Sequence, residues 1–380
     1  FYYSRYFFNL HYDETFFAND SINGDQLRQR ESRNLYGYNG KLTQHIYFSN
    51  NKDLNSTFGI GWQLNNIYGS SLSHTKDYND VLQYIQFGNV RELALNTYLD
   101  ENYHAGNWLF NAGVRVDYLY FDYMDKLNPQ QPTRNKTIAS PKLNVAYTVD
   151  ENVQLYIKTG KGFHSNDAKV VAANQGLDVL PAAYGTDLGI NWKPVPHLFI
   201  NTALWYLYLQ QEFVYNGDDG TFSPGDKTRR EGIDFSARYE FTPWLFANFD
   251  INICNARDIQ ALKGQDYLPL SIPLCSTGGL YIKLPSGLNG GLSYKYLANR
   301  PANDDNSLIA KGYFLTDLSA NYTKKKYEIG LEIQNLFNIK WEDAQYEVVS
   351  RLKNELQPVD DISFTPGMPF FAKLKFAVFF

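Results

Sequence analysis

Residues 108–120 read WLFNAGVRVDYLY, and this stretch decides the fold. Its even positions, Trp108, Phe110, Ala112, Val114, Val116, Tyr118 and Tyr120, are apolar or aromatic, while the odd ones include Asn111, Arg115 and Asp117. Successive side chains of a β-strand point to opposite faces, so one face of this strand is apolar and the other charged. The alternation recurs along the chain. Ile233, Phe235, Ala237 and Tyr239 interleave with Asp234, Ser236, Arg238 and Glu240. Tyr327, Ile329, Leu331 and Ile333 interleave with Glu328, Glu332 and Gln334, and at the C-terminus Leu374, Phe376, Val378 and Phe380 interleave with Lys373 and Lys375.

A soluble sandwich shows the same period with its apolar face inward. Three further features favour a transmembrane barrel, apolar face to lipid and polar face to a lumen. The alternating runs extend over roughly 10 to 14 residues, against about 5 to 6 in ordinary sheets. Aromatics gather near the ends of the runs, as in Trp108 with Tyr120 and Phe121 or Trp205 with Tyr206 and Tyr208, which suits interfacial girdles. The connections alternate in length. Short turns are predicted near 50–53, 102–107, 150–152, 193–197, 242–244, 285–287 and 323–326. Long polar loops are predicted near 14–32, 66–87, 122–137, 160–180, 216–227, 258–269, 299–310 and 338–367. Short turns on one rim and long loops on the other are the pattern of an outer-membrane barrel, here with about sixteen strands.

Composition agrees. Tyr (30) and Phe (26) are abundant and Met (2) is scarce, a mixture that favours strands. Mean hydropathy is -0.42 and no run of about 18 apolar residues occurs, so a helical membrane protein is excluded. A net charge of -5 without a basic tract argues against nucleic acid as partner. No signal-peptide pattern opens the chain, so any signal is expected to have been removed or to lie outside it. No linker divides the 380 residues, which read as one barrel domain, all-β and antiparallel.

Several segments resemble the TonB-dependent outer-membrane receptors. The resemblance rests on IKTGKGFHSND (157–167), RREGIDFSARY (229–239), DLSANY (317–322) with EIQNLF (332–337), and the ending TPGMPFFAKLKFAVFF (365–380). It covers most of residues 100–380 and is weaker before them. It implies an outer-membrane location in a Gram-negative bacterium, extracellular long loops, periplasmic short turns, and uptake of a scarce solute such as a ferric siderophore, haem or cobalamin. The terminal Phe380 is similar to the C-terminal aromatic by which barrel assembly machinery recognises such proteins. Implied partners are outer-membrane lipid, a small-molecule ligand such as a metal chelate, and the TonB complex acting through a plug domain. Family barrels are of the plugged class with roughly 22 strands. The shorter count here leads to the expectation that the chain is the C-terminal barrel portion of a longer receptor, with the plug and first strands outside it. A closed sixteen-stranded passive porin fits the same count and is the alternative.

Candidate ligand contacts are His164, Asn166 and Asp167 in one predicted extracellular loop and Trp341 and Tyr346 in the last one; a solvated or locally packed loop is the competing reading for each. Arg115, Asp117, Asp234, Arg238 and Glu332 are assigned to the lumen, where they contact a plug or solute or simply pair across strands; pairing is favoured for most. Cys254 and Cys275 fall on the lumen phase of two neighbouring strands. A disulfide or two free thiols are both open there, and restrictive geometry favours the thiols. The six scattered histidines show no metal-ligand spacing. No nucleophile elbow, phosphate loop or paired-carboxylate signature appears, so neither an enzyme nor a cofactor is expected. A soluble adhesin or carbohydrate-binding module and an outer-membrane hydrolase stand as the remaining classes.

Overall fold

The computed structural model describes residues 1–49, 51–129, 133–164, 179–216 and 221–380, with backbone alone at 213–216 and 221–224. The described residues form strands, turns and irregular connections. In chain order the strands are β1 (Tyr2–Tyr12), β2 (Leu27–Ser49), β3 (Lys52–Lys76), β4 (Asp80–Ala105), β5 (Trp108–Asp125), β6 (Thr133–Thr148), β7 (Val153–Phe163), β8 (Ala182–Val195) and β9 (Leu198–Leu209). Then come β10 (Phe213–Asn216), β11 (Thr221–Pro224), β12 (Thr228–Thr242), β13 (Leu245–Asp258), β14 (Leu274–Lys283), β15 (Leu288–Leu297), β16 (Arg300–Pro301) and β17 (Ile309–Ala310). The last are β18 (Tyr313–Thr323), β19 (Tyr327–Gln334), β20 (Glu342–Ser350), β21 (Val359–Pro366) and β22 (Phe371–Val378).

Sixteen of these build one meandering sheet in the order β1-β2-β3-β4-β5-β6-β7-β8-β9-β12-β13-β14-β15-β18-β19-β22. The pairs β10–β11, β16–β17 and β20–β21 are separate hairpins inside long connections. On one rim the turns are short: residues 106–107 join β4 to β5 and 243–244 join β12 to β13. Gly106 stands at φ 58°, where a side chain is disfavoured, and so permits a two-residue reversal.

Register shows how the alternation is used. Phe110 lies opposite Val145, Val145 opposite Ile157, Ile157 opposite Leu188, and Leu188 opposite Leu204. The row continues through Ile233 to Ile253. Six of these seven side chains are exposed, Leu188 at 59% and Leu204 at 56%. One exposed leucine needs no explanation, but a contiguous apolar band across seven strands does. Leaving each such side chain in water forgoes about 1.5–3 kcal/mol, which an apolar surrounding restores. Aromatic pairs edge the band: Trp108 with Tyr147 at 4.5 Å and Tyr239 with Phe241 at 4.5 Å near the short turns. Tyr184 with Tyr208 at 6.2 Å and Tyr294 stacked on Phe314 at 5.2 Å lie toward the long loops.

The opposite face is polar over most of its height and turns apolar at its long-loop end. There Ile67, Val90, Leu119, Phe121, Tyr123 and Ile138 form the buried core with Val179 and Leu180 from the connection ahead of β8. This loop base is thus folded onto the inner face of β3–β6.

Two expectations are corrected. The predicted loop at 66–87 is an extension of β3 and β4, which run 25 and 26 residues and reverse at 77–79, where Asp77 and Tyr78 have φ of 49° and 67°. A strand needs about 9–11 residues to cross a bilayer, so this hairpin projects well beyond it. Its polar sequence reads as a loop, although Ser70, Ser73 and Thr75 are buried there beside Ile67 and Leu72. The second correction is strand length: several strands exceed the expected 10–14 residues, β2 reaching 23.

Candidate functional site

The site is the polar face of the sheet together with the layer of long connections above it. Alternation places Asp100, Asn102, Asn111, Lys142 and Asn144 on that face in adjacent strands, and they interlock. Asp100 accepts from Asn102 at 2.9 Å and Asn111 at 2.8 Å and pairs with Lys142 Nζ at 2.5 Å. Asn144 Nδ2 donates to Asn111 Oδ1 at 2.7 Å. Further along, Asn191 donates to Gln154 at 3.0 Å, while Asn201 donates to Asn191 at 2.7 Å and to the Tyr156 hydroxyl at 3.2 Å. The asparagines of both clusters, with Gln154 and Tyr156, border a cavity of about 380 Å³ in the wall. This amide belt was not singled out from sequence. Its only signal is that each asparagine occupies the polar phase of its strand.

The predicted inner-face residues all find partners within the wall. Arg115 donates to Asp117 from Nε and Nη2 at 2.7–2.9 Å. Asp234 accepts from Asn252, and Arg238 pairs with Asp250 at 2.9 Å. Glu332 pairs with Lys373 and Glu328 with Lys375, both across β19 and β22. Arg115 and Asp117 are thus paired along one strand, β5, while Asp234, Arg238 and Glu332 are paired across strands. Cys254 and Cys275 are free thiols. Cys275 lies opposite Asn252, so the two cysteines stand on a diagonal rather than face to face. Directly opposed Cβ atoms lie about 4.5–5.5 Å apart and diagonal ones some 7–8 Å, beyond disulfide reach without movement.

Among the described residues, parts of the connections above the wall are held by side-chain hydrogen bonds. In the β1–β2 connection the buried Asp25 carboxylate accepts from Thr15 Oγ1 at 2.7 Å and from the amides of Asn19 and Asp20 at 2.9 and 2.6 Å. Asp20 in turn accepts from the Asn23 side chain and the amides of Asn23 and Ile22, which hold its carboxyl down at about 2. Burial pushes Asp13 up, with the Asp25 charge adding to it. At the base of the β9–β12 connection, burial alone would raise Glu212. Two contacts from Arg230, at 2.5 and 2.8 Å, outweigh it and leave the carboxyl below its usual range.

His164 is exposed at the end of β7, and its amide donates to the Pro181 carbonyl at 3.1 Å. Asn166 and Asp167 lie outside the described residues. Trp341 is engaged locally: its ring meets Tyr313 edge-on at 4.7 Å and its Nε1 donates to the Met368 carbonyl at 3.0 Å. Tyr346 borders a groove of about 560 Å³ between the β1–β2 connection and the β20–β21 hairpin, with Asp13, Asp361 and Phe364. The structure thus separates Trp341 from Tyr346 in role, one packed, the other lining a groove. The described residues contain no group of three His, Cys, Asp or Glu side chains placed to hold a metal ion.

Residues 1–336 match the family model described as TonB dependent receptor-like, beta-barrel. Among curated proteins, the ferrioxamine receptor of Yersinia enterocolitica is 21% identical over 227 residues, 58% of this chain and 31% of that protein. The catecholate siderophore receptor Fiu of Escherichia coli K12 is 23% identical over 217 residues, 52% of this chain and 28% of that one. Among solved structures, the unliganded ferric citrate transporter FecA superposes with a TM-score of 0.77 at 16% identity, covering 98% of this chain and 57% of that one. The ferric yersiniabactin uptake receptor FyuA of Yersinia pestis gives 0.72 at 14%, covering 100% and 58%. The matched region spans about a third of the curated relatives and under two thirds of the solved chains. With a family match over nearly nine tenths of its length and this fold, the chain belongs to the TonB-dependent receptor-like β-barrel family.

Proposed function

We propose that this chain is the barrel wall of an outer-membrane receptor that takes up a scarce solute, a ferric siderophore above haem or cobalamin, with energy delivered by TonB. The observation that carries the reading is the pairing of an exposed apolar band on one face with a hydrogen-bonded polar wall on the other, in a chain of this family. Apolar side chains outward meet lipid, and every interior strand is paired on both sides, as a bilayer without water demands. The polar wall then faces a lumen able to hold a plug domain, for which Arg115, Asp117, Asp234, Arg238 and Glu332 form part of the lining. On this reading residues 1–380 are the later strands of a longer receptor, and the plug through which TonB acts lies upstream. Phe380 serves recognition by the barrel assembly machinery. The wall does no chemistry; binding and passage are its work.

Siderophore is favoured because the curated relatives named above are a ferrioxamine receptor and a catecholate siderophore receptor. Deleting the gene and growing cells under iron limitation on a panel of ferric chelates tests this. Loss of growth on one chelate with growth retained on the others is expected; unchanged use of the whole panel, with haem and cobalamin also unaffected, would overturn it. The coding sequence upstream of Phe1 tests the domain assignment, since a plug domain and further strands are expected there.

A further inference from the structure

Where β13 and β15 end on the long-loop side, the 259–273 connection and the β16–β17 hairpin flank an open cavity of about 290 Å³. Two arginines, Arg257 and Arg300, border it with Asn299, Asn306, Ser271 and Tyr267. Arg257 is compensated: Asp266 lies 3.6 Å away and the guanidinium sits over the Tyr267 ring at 4.3 Å. Arg300 is not. It is 7% exposed, and among the described residues its guanidinium makes one hydrogen bond, from Nη1 to the Lys311 carbonyl at 3.4 Å.

A guanidinium carries five donors and keeps its charge, so burying one without a counter-charge is costly. Three arginines elsewhere in this molecule show the usual compensation by a carboxylate: Arg115 by Asp117, Arg230 by Glu212 and Arg238 by Asp250. Around Arg300 no described carboxylate lies within ion-pair reach, and the ionisable neighbour that acts on it is the Tyr313 hydroxyl, neutral at physiological pH. Burial accordingly pulls the Arg300 guanidinium below its ordinary value. Asn299 uses its side-chain oxygen on the Gly312 amide at 2.7 Å, which leaves its Nδ2 as a donor.

We propose that this cavity is a subsite for a compact oxyanion, a phosphate or a carboxylate, taken by Arg300 in two-pronged fashion and closed by Arg257 and Asn299. The fork of an arginine matches two oxygens of one such group, and a charge-assisted pair of hydrogen bonds is stronger than a neutral one. The volume admits one group of this size, either a free anion or the acidic end of a larger molecule. A soluble anion and a phosphate of the outer-leaflet lipid present the same chemistry. The inference stands on the cavity and does not depend on which solute the receptor carries.

The test uses the receptor as its gene encodes it, purified in detergent and stripped of lipopolysaccharide. Titration with inorganic phosphate and with acetate at fixed ionic strength should show saturable binding, weakened about tenfold or more in Arg300→Gln and less in Arg300→Lys. In a second arm the protein is purified without stripping, and bound lipopolysaccharide phosphate is compared between wild type and Arg300→Gln. A loss confined to the first arm identifies a soluble anion, and a loss confined to the second a lipid phosphate. Absence of anion binding in both arms, or binding by Arg300→Gln equal to wild type, overturns the proposal. Should that variant fail to fold, the wild-type melting temperature decides: a rise with phosphate or added lipopolysaccharide over chloride is expected, and a flat response to both overturns it.

Discussion

The Nε–H of Arg351 donates to the carbonyl oxygen of Phe17 at 2.8 Å, joining two residues 334 positions apart. The backbones reinforce the contact, with Phe17 N donating to Arg351 O at 3.0 Å and Arg351 N to Thr15 O at 3.1 Å. The β1–β2 connection is held in turn to the β3–β4 hairpin, where the Gly24 carbonyl meets His74 Nε2 at 2.6 Å and Gln26 takes the Tyr78 amide at 3.0 Å. In the main sheet β1 and β22 are the terminal strands, paired on one side each among the described residues. The connections therefore tie the first and last strands together on the long-loop rim where the sheet itself does not.

Replacing Arg351 with Ala should loosen that tie selectively. A hydrogen bond from a charged donor contributes about 1.5–3 kcal/mol, so amide exchange at Phe17 and Ala18 should speed by about tenfold or more while strand amides keep their protection. Unchanged exchange in 13–26 would show that the backbone bridge suffices alone.

Gln345 is 2% exposed and clasps the turn ahead of β18 from both ends: its Oε1 accepts from Lys311 N at 2.7 Å and its Nε2 donates to Lys311 O at 2.9 Å. Gln345→Ala leaves the Lys311 amide without that acceptor and its carbonyl with the long Arg300 contact alone, costing about 1–3 kcal/mol locally. Limited proteolysis within 299–312 should become faster than in wild type, with Gln345→Glu also impaired because a carboxylate cannot donate to Lys311 O.

Gly232 lies between Trp205 and Cys254 on the polar face of β12. A Cβ there would fall 2.2 Å from the Ile253 carbonyl oxygen and 2.5 Å from the Trp205 ring. Gly232→Ala must push β12 from β13 or displace the indole, a cost of about 1–3 kcal/mol, and Gly232→Val more. The fraction of barrel that keeps its compact mobility on an unheated gel should fall in that order; equal fractions in all three proteins would mean that the wall is slack here.

The Glu212–Arg230 pair gives a pH dependence with a definite sign. Its folded-state carboxyl lies below the ordinary 4.5, so the stabilisation is fully present above 4.5 and is lost as pH falls through the depressed value. Susceptibility of the 210–227 connection to an acid protease should rise below pH 4.5 in wild type. In Glu212→Gln it should already be high at pH 6 and vary little with acid.

How far the sequence alone carried this picture differs by level. Period-two alternation located the strands, because one face meets an apolar surrounding and the other does not, and Glu332 opposite Lys373 could be anticipated from that phase. The projecting ends of β3 and β4 could not, since Asn65, Ser70, Ser73 and Thr75 carry no apolar face to betray a strand and resemble turn residues. The amide belt is hidden for a related reason: Asn111, Asn144, Asn191 and Asn201 read singly as loop formers, and only register brings them together. Contacts among connections, such as Arg351 with Phe17 or Gln345 with Lys311, leave no periodic trace at all. Arg300 shows its character only once burial and missing carboxylates are seen together.

Energised uptake through this wall is read directly from entry of a radiolabelled ferric chelate into cells carrying the receptor gene, with TonB intact and with TonB inactivated. Saturable uptake that requires both the gene and TonB is the result expected. Uptake that persists without TonB and rises in proportion to external concentration would contradict it and mark the barrel as a passive channel.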